Sequence, residues 1–357
     1  MEPILFGIIG SGWRAEFYLR IARAMPDVFS ITGCTSRDET KRDSLEAQWG
    51  VKAFASADEL LTETQSAFVV SSVPWAANPE MIAACVEADV PVLSETPPAP
   101  DLGGLIFLNE LAAQGARIQV AEQYHLQPHH AARLALVNSG KLGTVSQAQV
   151  SAAHGYHGIS LMRRLLGIMF EPGIITARTF KAPIVAGSNR QGPPSEETVT
   201  DSVHELAWFD FKGKLGVFDF TGDQYFSWIR NERVLVRGER GEIINKRVTY
   251  LKDFLTPISL DFIRHEAGPG GNLEGNYLKG IQLGEEWLYT NPCKPAALPD
   301  DEIAIAACLL KMAKYAEGGE DFYSLAEASQ DHYLSLKMQE AIDTGKEVVT
   351  ETMPWGA

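Results

Sequence analysis

A glycine-rich hexapeptide, Gly10-Ser11-Gly12-Trp13-Arg14-Ala15, directly follows the apolar run Ile4–Ile9. It fits G-x-G-x-x-G/A in the setting that gives the pattern meaning, a buried strand before it and a helical stretch after it. The first glycine makes a tight turn and the second lets backbone approach a pyrophosphate. The small third residue lets helix and strand pack, and the helix N-terminus stabilises phosphate charge. The bland alternative is a glycine turn that serves packing alone. The next strand ends Cys34-Thr35-Ser36-Arg37-Asp38. NAD sites place an acid at that tip for the ribose 2′-hydroxyl. A hydroxyl and a guanidinium at Ser36 and Arg37 suit a 2′-phosphate instead, so NADP is favoured over NAD unless Arg37 merely caps the turn. Further along, Gln123, Tyr124 and His125 follow a strand and belong at the sheet's carboxyl edge. His154 and His157 stand three apart, a spacing that would share one face of a helix but leaves the geometry open on the loop expected there, and His204-Glu205 lies in a long strand of the second half. Zinc can be held by imidazoles and a carboxylate, but no triplet here has a ligand spacing, so no metal is expected.

The elements that must position these groups change character near Gln123. Before it, strands (4–9, 30–35, 67–71, 90–94, 117–121) alternate with helical stretches (41–48, 80–88, 102–114), which predicts βαβ units and a doubly wound parallel sheet. Ser56-x-x-Glu59 reads as a capping box, and Asn78-Pro79 as an N-cap followed by proline in the first turn. After Gln123, a helix over 130–139 leads into long strands at 198–211, 215–221 and 233–237. Lys212-Gly213-Lys214 predicts a hairpin between the first two. Trp208, Phe209, Phe211, Phe218 and Phe220 are expected in the core of that sheet. Tyr225, Phe226 and Trp228 could instead form a subunit contact. The stretches 187–194 and 267–275 read as loops, and 301–317 and 324–344 as helices. His129, His130 and His332 are expected to be solvated. The expected domains are residues 1–123 and 124–357, with the C-terminal helices packing back on the first.

Composition narrows the classes further. The chain has 357 residues, 45% of them apolar and 22% charged, ordinary values for a globular protein of about two domains. Thirty-one Lys and Arg against 46 Asp and Glu leave a formal charge of −15, which repels phosphate backbones and anionic lipid. Nucleic acid and membrane are therefore poor partners, and a cytoplasmic location is expected. Cys34, Cys85, Cys293 and Cys308 lie far apart and read as buried thiols.

With these motifs in place the chain resembles the Gfo/Idh/MocA family of nicotinamide-dependent sugar and cyclitol oxidoreductases over nearly its whole length. The likeness rests on the glycine loop and on Val92-Leu93-Ser94-Glu95-Thr96-Pro97. It continues through Gly140-Lys141-Leu142-Gly143, Gly155-Tyr156-His157-x-x-Ser160-x-x-x-x-Leu165-Leu166-Gly167 and Gly238-Glu239-Arg240-Gly241-Glu242-Ile243. The resemblance implies a Rossmann domain plus an α+β domain with a large, open-faced, mostly antiparallel sheet, often a homodimer or homotetramer through that sheet. It implies cofactor contacts at Gly10, Ser11, Gly12, Trp13, Arg14, Ser36, Arg37, Ser72, Pro74, Trp75, Glu95 and Gln123. The departures are specific. The family's E-K-P segment reads Glu95-Thr96-Pro97, and the aspartate that precedes its histidine by four is Ala153. The acid three residues after that histidine is Ser160, and Pro74-Trp75 replaces Pro-Asn.

Oxidising a secondary alcohol requires one hydride acceptor and one proton acceptor. His157 is the expected acid/base group, with Tyr124, Glu95 and Thr96 completing the catalytic set. His125, His154, Ser160 and His204 are expected to bind substrate. The function implied is hydride transfer between NAD(P) and a sugar- or cyclitol-like alcohol or ketone. Two rival readings are a lyase or glycosidase with tightly bound nicotinamide, and a non-catalytic nucleotide sensor.

Overall fold

The computed structural model describes residues 2–268, 270 and 276–356. Strands and helices alternate at first: β1 (Ile4–Ile9), α1 (Ala15–Ala24), β2 (Phe29–Thr35), α2 (Glu39–Trp49), β3 (Ala53–Phe54), α3 (Ala57–Glu63), β4 (Phe68–Ser71), α4 (Asn78–Glu87), β5 (Val92–Ser94), α5 (Leu102–Ala113) and β6 (Ile118–Val120). Next come α6 (Pro128–Asn138), β7 (Val145–Ser151), α7 (Gly155–Leu166), β8 (Ile174–Val185), β9 (Val199–Asp210), β10 (Leu215–Thr221), β11 (Arg233–Gly238), β12 (Gly241–Ile244), β13 (Arg247–Asp253) and β14 (Thr256–Asp261). The chain ends with β15 (Ile263–Ala267), β16 (Tyr277–Leu283), β17 (Glu286–Thr290), α8 (Asp300–Ala316), α9 (Leu325–Thr344) and β18 (Val348–Val349). The loop expected over 267–275 lies mostly outside the described residues. Among the described residues no helix is long and apolar enough to cross a membrane.

The chain divides into two compact units, one of Met1–Pro128, Arg264–Gly280 and Thr290–Ser329, the other of His129–Ile263, Ile281–Tyr289 and Gln330–Ala357. This differs from a single boundary after Gln123, because the chain returns to the first unit after β14. The first unit holds a six-stranded parallel sheet in the order β3-β2-β1-β4-β5-β6, the doubly wound arrangement. Its central strand β1 is apolar on both faces because helices cover both, and Phe6, Ile8 and Ile9 are buried. α8 packs on α1 in this unit, with Arg20 Nε 2.6 Å from Glu302 Oε1.

Helix starts follow their capping chemistry, with one exception. Asp38, Ser56 and Asp101 each accept a backbone N–H from the first turn that follows. Asn78 does not cap α4. It is buried inside the helix start, accepts from Ser71 Oγ at 2.6 Å and donates to Ser94 Oγ at 2.9 Å and Pro98 O at 3.1 Å. The ends of β4 and β5 offer its amide more partners than a helix terminus would, and that outcompetes the local cap.

The second unit is built on a nine-stranded sheet, order β14-β13-β12-β11-β7-β10-β9-β8-β18, antiparallel throughout except where β7 meets β10. The hairpin between β9 and β10 turns at Lys212 (φ 51°) and Gly213 (φ 99°), and two positive φ values match the right-handed twist of the strands. α7 lies on one face, over β7 and β10, so close that a Cβ on Gly158 would sit 2.7 Å from the Phe218 ring. Alternation along β9 sends Trp208 to the other face, where it is 63% exposed rather than in the core as expected. Phe209, Phe211, Phe218 and Phe220 are buried. His130 and His332 are not solvated. His130 Nδ1 accepts from Arg133 Nη1 at 2.8 Å, and the ring of His332 packs edge-on to Tyr156 at 5.6 Å. Three further strands pair in the order β15-β16-β17.

Candidate functional site

The glycine loop is shaped by contacts on both sides. Gly10 adopts φ 122°, and a Cβ there would lie 2.1 Å from the Ser72 carbonyl oxygen. Its N–H donates to Thr35 Oγ1 at 2.9 Å, so the tips of β1, β2 and β4 lock together through this residue. Gly12 is the opposite case: a Cβ on it would meet nothing within 4 Å, leaving open space at the N-terminus of α1. Ala15 is buried against the sheet. A loop pinned from below and open above fits a dinucleotide pyrophosphate. Trp13 and Trp75, in the same unit, are about half exposed at 51% and 49%.

At the tip of β2, Ser36 is buried and Arg37 exposed, while Asp38 Oδ1 accepts the Lys41 N–H at 3.3 Å. Asp38 is thus engaged by its own helix. Arg42 Nη1 donates to Ser36 O at 2.9 Å, a second guanidinium at this tip that sequence reading missed. Its signal was helical spacing: Arg42 follows Asp38 by one turn.

Beyond β5, Glu95 is buried and takes three donors. Arg14 Nε lies 2.7 Å from its Oε1, Tyr18 Oη donates to the same oxygen, and the Thr96 N–H reaches Oε2 at 3.4 Å. Arg14 Nη2 also donates to Gln123 Oε1 at 3.0 Å. Arg14, expected against the cofactor, is therefore turned to Glu95 and Gln123. Burial opposes its charge, yet Glu95 and Tyr18 hold the guanidinium pKa above its ordinary value. Burial and then Glu95 push the Tyr18 phenol up. Tyr18 follows Arg14 by four on α1, a spacing that could have revealed the triad. The Thr96–Pro97 peptide is cis. Tyr124 is buried, its N–H donating to Glu122 Oε1 at 3.0 Å, and the buried His125 ring lies 5.1 Å from Tyr323. Burial raises the thiols of Cys34 and Cys85 to about 12, which leaves them protonated.

In the second unit, His154 immediately precedes α7 and His157 sits in its first turn. Their rings lie 5.0 Å apart at 85°. His157 is buried, also against Tyr156 at 4.5 Å. His154 is exposed and bonds Tyr225 Oη through Nδ1 at 2.6 Å. Ser160, expected beside substrate, is wholly buried in the body of α7. His204, expected to bind substrate, is on the sheet face away from α7. Its partner strand β10 alternates, so Phe218 faces Gly158 while Asp219 faces the other way, and His204 Nε2 lies 2.5 Å from Asp219 Oδ1. Arg233 Nη2 and Gln149 Nε2 bond Asp219 as well, at 3.0 and 3.1 Å. His204 thus belongs to a polar cluster of the sheet, whereas His154 and His157 come together at the start of α7.

Residues 4–123 match the family model described as oxidoreductase family, NAD-binding Rossmann fold. An uncharacterized oxidoreductase of Schizosaccharomyces pombe is 27% identical over 151 residues, which is 41% of this chain and 41% of that protein. The match thus spans well under half of that relative's length. Among solved structures, levoglucosan dehydrogenase in complex with NADH has a TM-score of 0.71 at 15% identity, covering 98% of this chain and 100% of that one. An oxidoreductase from Agrobacterium radiobacter, in complex with NAD+, L-tartaric acid and magnesium, has a TM-score of 0.68 at 16% identity over 98% of both chains. The apo scyllo-inositol dehydrogenase from Lactobacillus casei gives 0.67 at 15% identity, again over 98% of both. These likenesses show a shared fold along nearly the whole chain. Residues 4–123 thus carry the NAD-binding Rossmann fold of the Gfo/Idh/MocA oxidoreductase family model, and the fold of nearly the whole chain is shared with these dehydrogenase structures.

Proposed function

We propose that the protein is an NAD(P)-dependent oxidoreductase acting on a secondary alcohol, or the matching ketone, of a sugar- or cyclitol-like substrate. The bound nicotinamide would accept or return the hydride. Gly10, Ser11, Gly12 and the N-terminus of α1 would hold the pyrophosphate, with Ser36 and Arg37 at the adenine-side ribose. Ser72, Pro74, Trp13 and Trp75 would line the cofactor. Arg14, Glu95 and Gln123 would act as a rigid, prebonded edge beneath it. We propose that His157 exchanges the hydroxyl proton, and that Tyr124 and the Thr96 hydroxyl, where the family carries lysine, are the catalytic groups of the first unit. The neutral imidazole takes the proton during oxidation and the imidazolium returns it during reduction. The levoglucosan and scyllo-inositol dehydrogenases among the neighbours support a carbohydrate-like substrate. We also propose that copies of the chain assemble through the open face of the large sheet.

The observation that carries the reading is His157, buried in the first turn of α7 beside a second histidine. The test is His157→Asn in full-length protein, after a panel of sugars, inositols and keto-sugars read by nicotinamide absorbance has supplied a substrate. Turnover is expected to fall by roughly 10²–10⁴-fold with nucleotide affinity unchanged. Wild-type oxidation should weaken in acid as the imidazole protonates, and the variant should lack that limb. Wild-type turnover with the same pH profile in the variant would show that His157 is structural.

A further inference from the structure

Where the chain enters α7, one tyrosine reaches the same histidine twice. Tyr225 ends the short turn Gly222–Tyr225, which a reciprocal capping box between Thr221 and Gln224 locks. Gln224 Nε2 also donates to Ser151 O at 2.9 Å, tying the turn to the end of β7. The Tyr225 ring packs on Phe220 at 5.1 Å, so the phenol is aimed by the sheet rather than left to a loose loop. Its oxygen accepts the His154 backbone N–H at 3.1 Å and lies 2.6 Å from His154 Nδ1.

The chemistry of that pair chooses where the proton sits. A phenol with an ordinary pKa of about 10 is a far stronger acid than the N–H of a neutral imidazole. That difference favours an O–H donating to Nδ1, and a ring whose Nδ1 accepts carries its own proton on Nε2. The groups facing this ring are His157 and Tyr156 from α7 and Tyr225 from its turn. Loss of water around the ring among these neighbours, and then repulsion from His157, push the His154 pKa below the histidine range, although the residue as a whole is exposed.

We propose that Tyr225 is a positioning residue that holds His154 as the neutral Nε2–H tautomer, making it a fixed hydrogen-bond donor to the substrate oxygen beside His157. The inference rests on the oxidoreductase reading for its substrate and on geometry alone for its tautomer. In a chain where Thr96 and Ala153 stand at the family's lysine and aspartate positions, a neutral histidine donor supplies polarisation without a second charge next to His157.

The test uses full-length protein labelled with ¹⁵N-histidine, with His154→Asn to assign the signal and Tyr225→Phe as the probe. Across about pH 5.5 to 8, wild-type His154 should show the Nε2–H pattern and stay neutral. Tyr225→Phe keeps the ring but removes the donor, so His154 should become a tautomer mixture and begin to titrate within that window. Nδ1–H in the wild type, ordinary titration near 6.5, or unchanged spectra in Tyr225→Phe would overturn the lock. These readouts need no substrate, so their failure is separable from failure of the oxidoreductase reading. In turnover assays Tyr225→Phe should raise KM about tenfold, the worth of one hydrogen bond, and add an acid limb. An unchanged KM together with an unchanged pH profile would overturn the substrate contact.

Discussion

Arg37 and Asp38 stand side by side at the tip of β2, and the fold gives them opposite roles. Asp38 is bound to the first turn of α2, whereas Arg37 is exposed, with Arg42 close behind it on Ser36 O. This arrangement underlies the proposed preference for NADP over NAD. One charge-assisted contact to a 2′-phosphate contributes on the order of 1.5–3 kcal/mol, about tenfold or more in affinity. Calorimetric titration should therefore find NADP(H) the tighter ligand, and Arg37→Ala should abolish the difference. Equal affinities in the wild type would remove the argument. At this scale the glycine loop and both histidines were legible in the chain, since their spacing is local. The bonding of Arg14 and Tyr18 to Glu95 and the buried job of Asn78 were not, because the partners lie about 80 positions away or at the ends of other strands.

At the scale of elements, α7 carries the candidate acid/base group and its seating on the sheet fixes where that group points. Gly158, next to His157, has room for no side chain. A Cβ would lie 2.6 Å from the Ala153 carbonyl oxygen and 2.7 Å from the Phe218 ring. Alanine normally gains up to about 1 kcal/mol over glycine within a helix. Here the backbone oxygen cannot move aside cheaply, and overpacking costs about 1–3 kcal/mol. Gly158→Ala is expected to lower the midpoint of urea unfolding and reduce turnover as the helix lifts; a more stable, fully active variant would contradict this packing. A loop was expected around His154 and His157, and the structure corrects it to the start of a helix. The histidine geometry was open until the start of α7 was seen to place His154 just ahead of it, with His157 one turn on.

On the larger scale, the face of the nine-stranded sheet opposite α7 presents exposed apolar side chains among the described residues. Phe180, Leu206 and Trp208 are exposed there at 58%, 41% and 63%. Register puts all three on the side opposite α7, Phe180 across from His204 and Trp208 across from Val217. Apolar residues clustered on an open sheet face mark an association surface, and a sheet face of one chain matches the same face of a copy by two-fold symmetry. Trp208→Lys is expected to shift the protein towards monomer in sedimentation velocity while leaving nucleotide binding intact. A wild type that sediments as a monomer at tens of micromolar would sink the proposed assembly.

The order of elements in the first third, the hairpin at Lys212 and Gly213 and the glycine loop can all be read from the chain alone. Each follows from local chemistry: apolar period, capping side chains, and glycine where φ must be positive. Only the tertiary structure decided which face each strand residue occupies, and so whether Trp208 is core or surface and whether His204 can reach His157. A strand's alternation says that two sets of side chains exist but not which set a helix will cover. In the same way, the sequence could list Glu95, Arg14 and Gln123, but not that the three would bond to one another. Long-range hydrogen bonds depend on how β5, β6 and α1 are layered, which no short stretch of chain encodes.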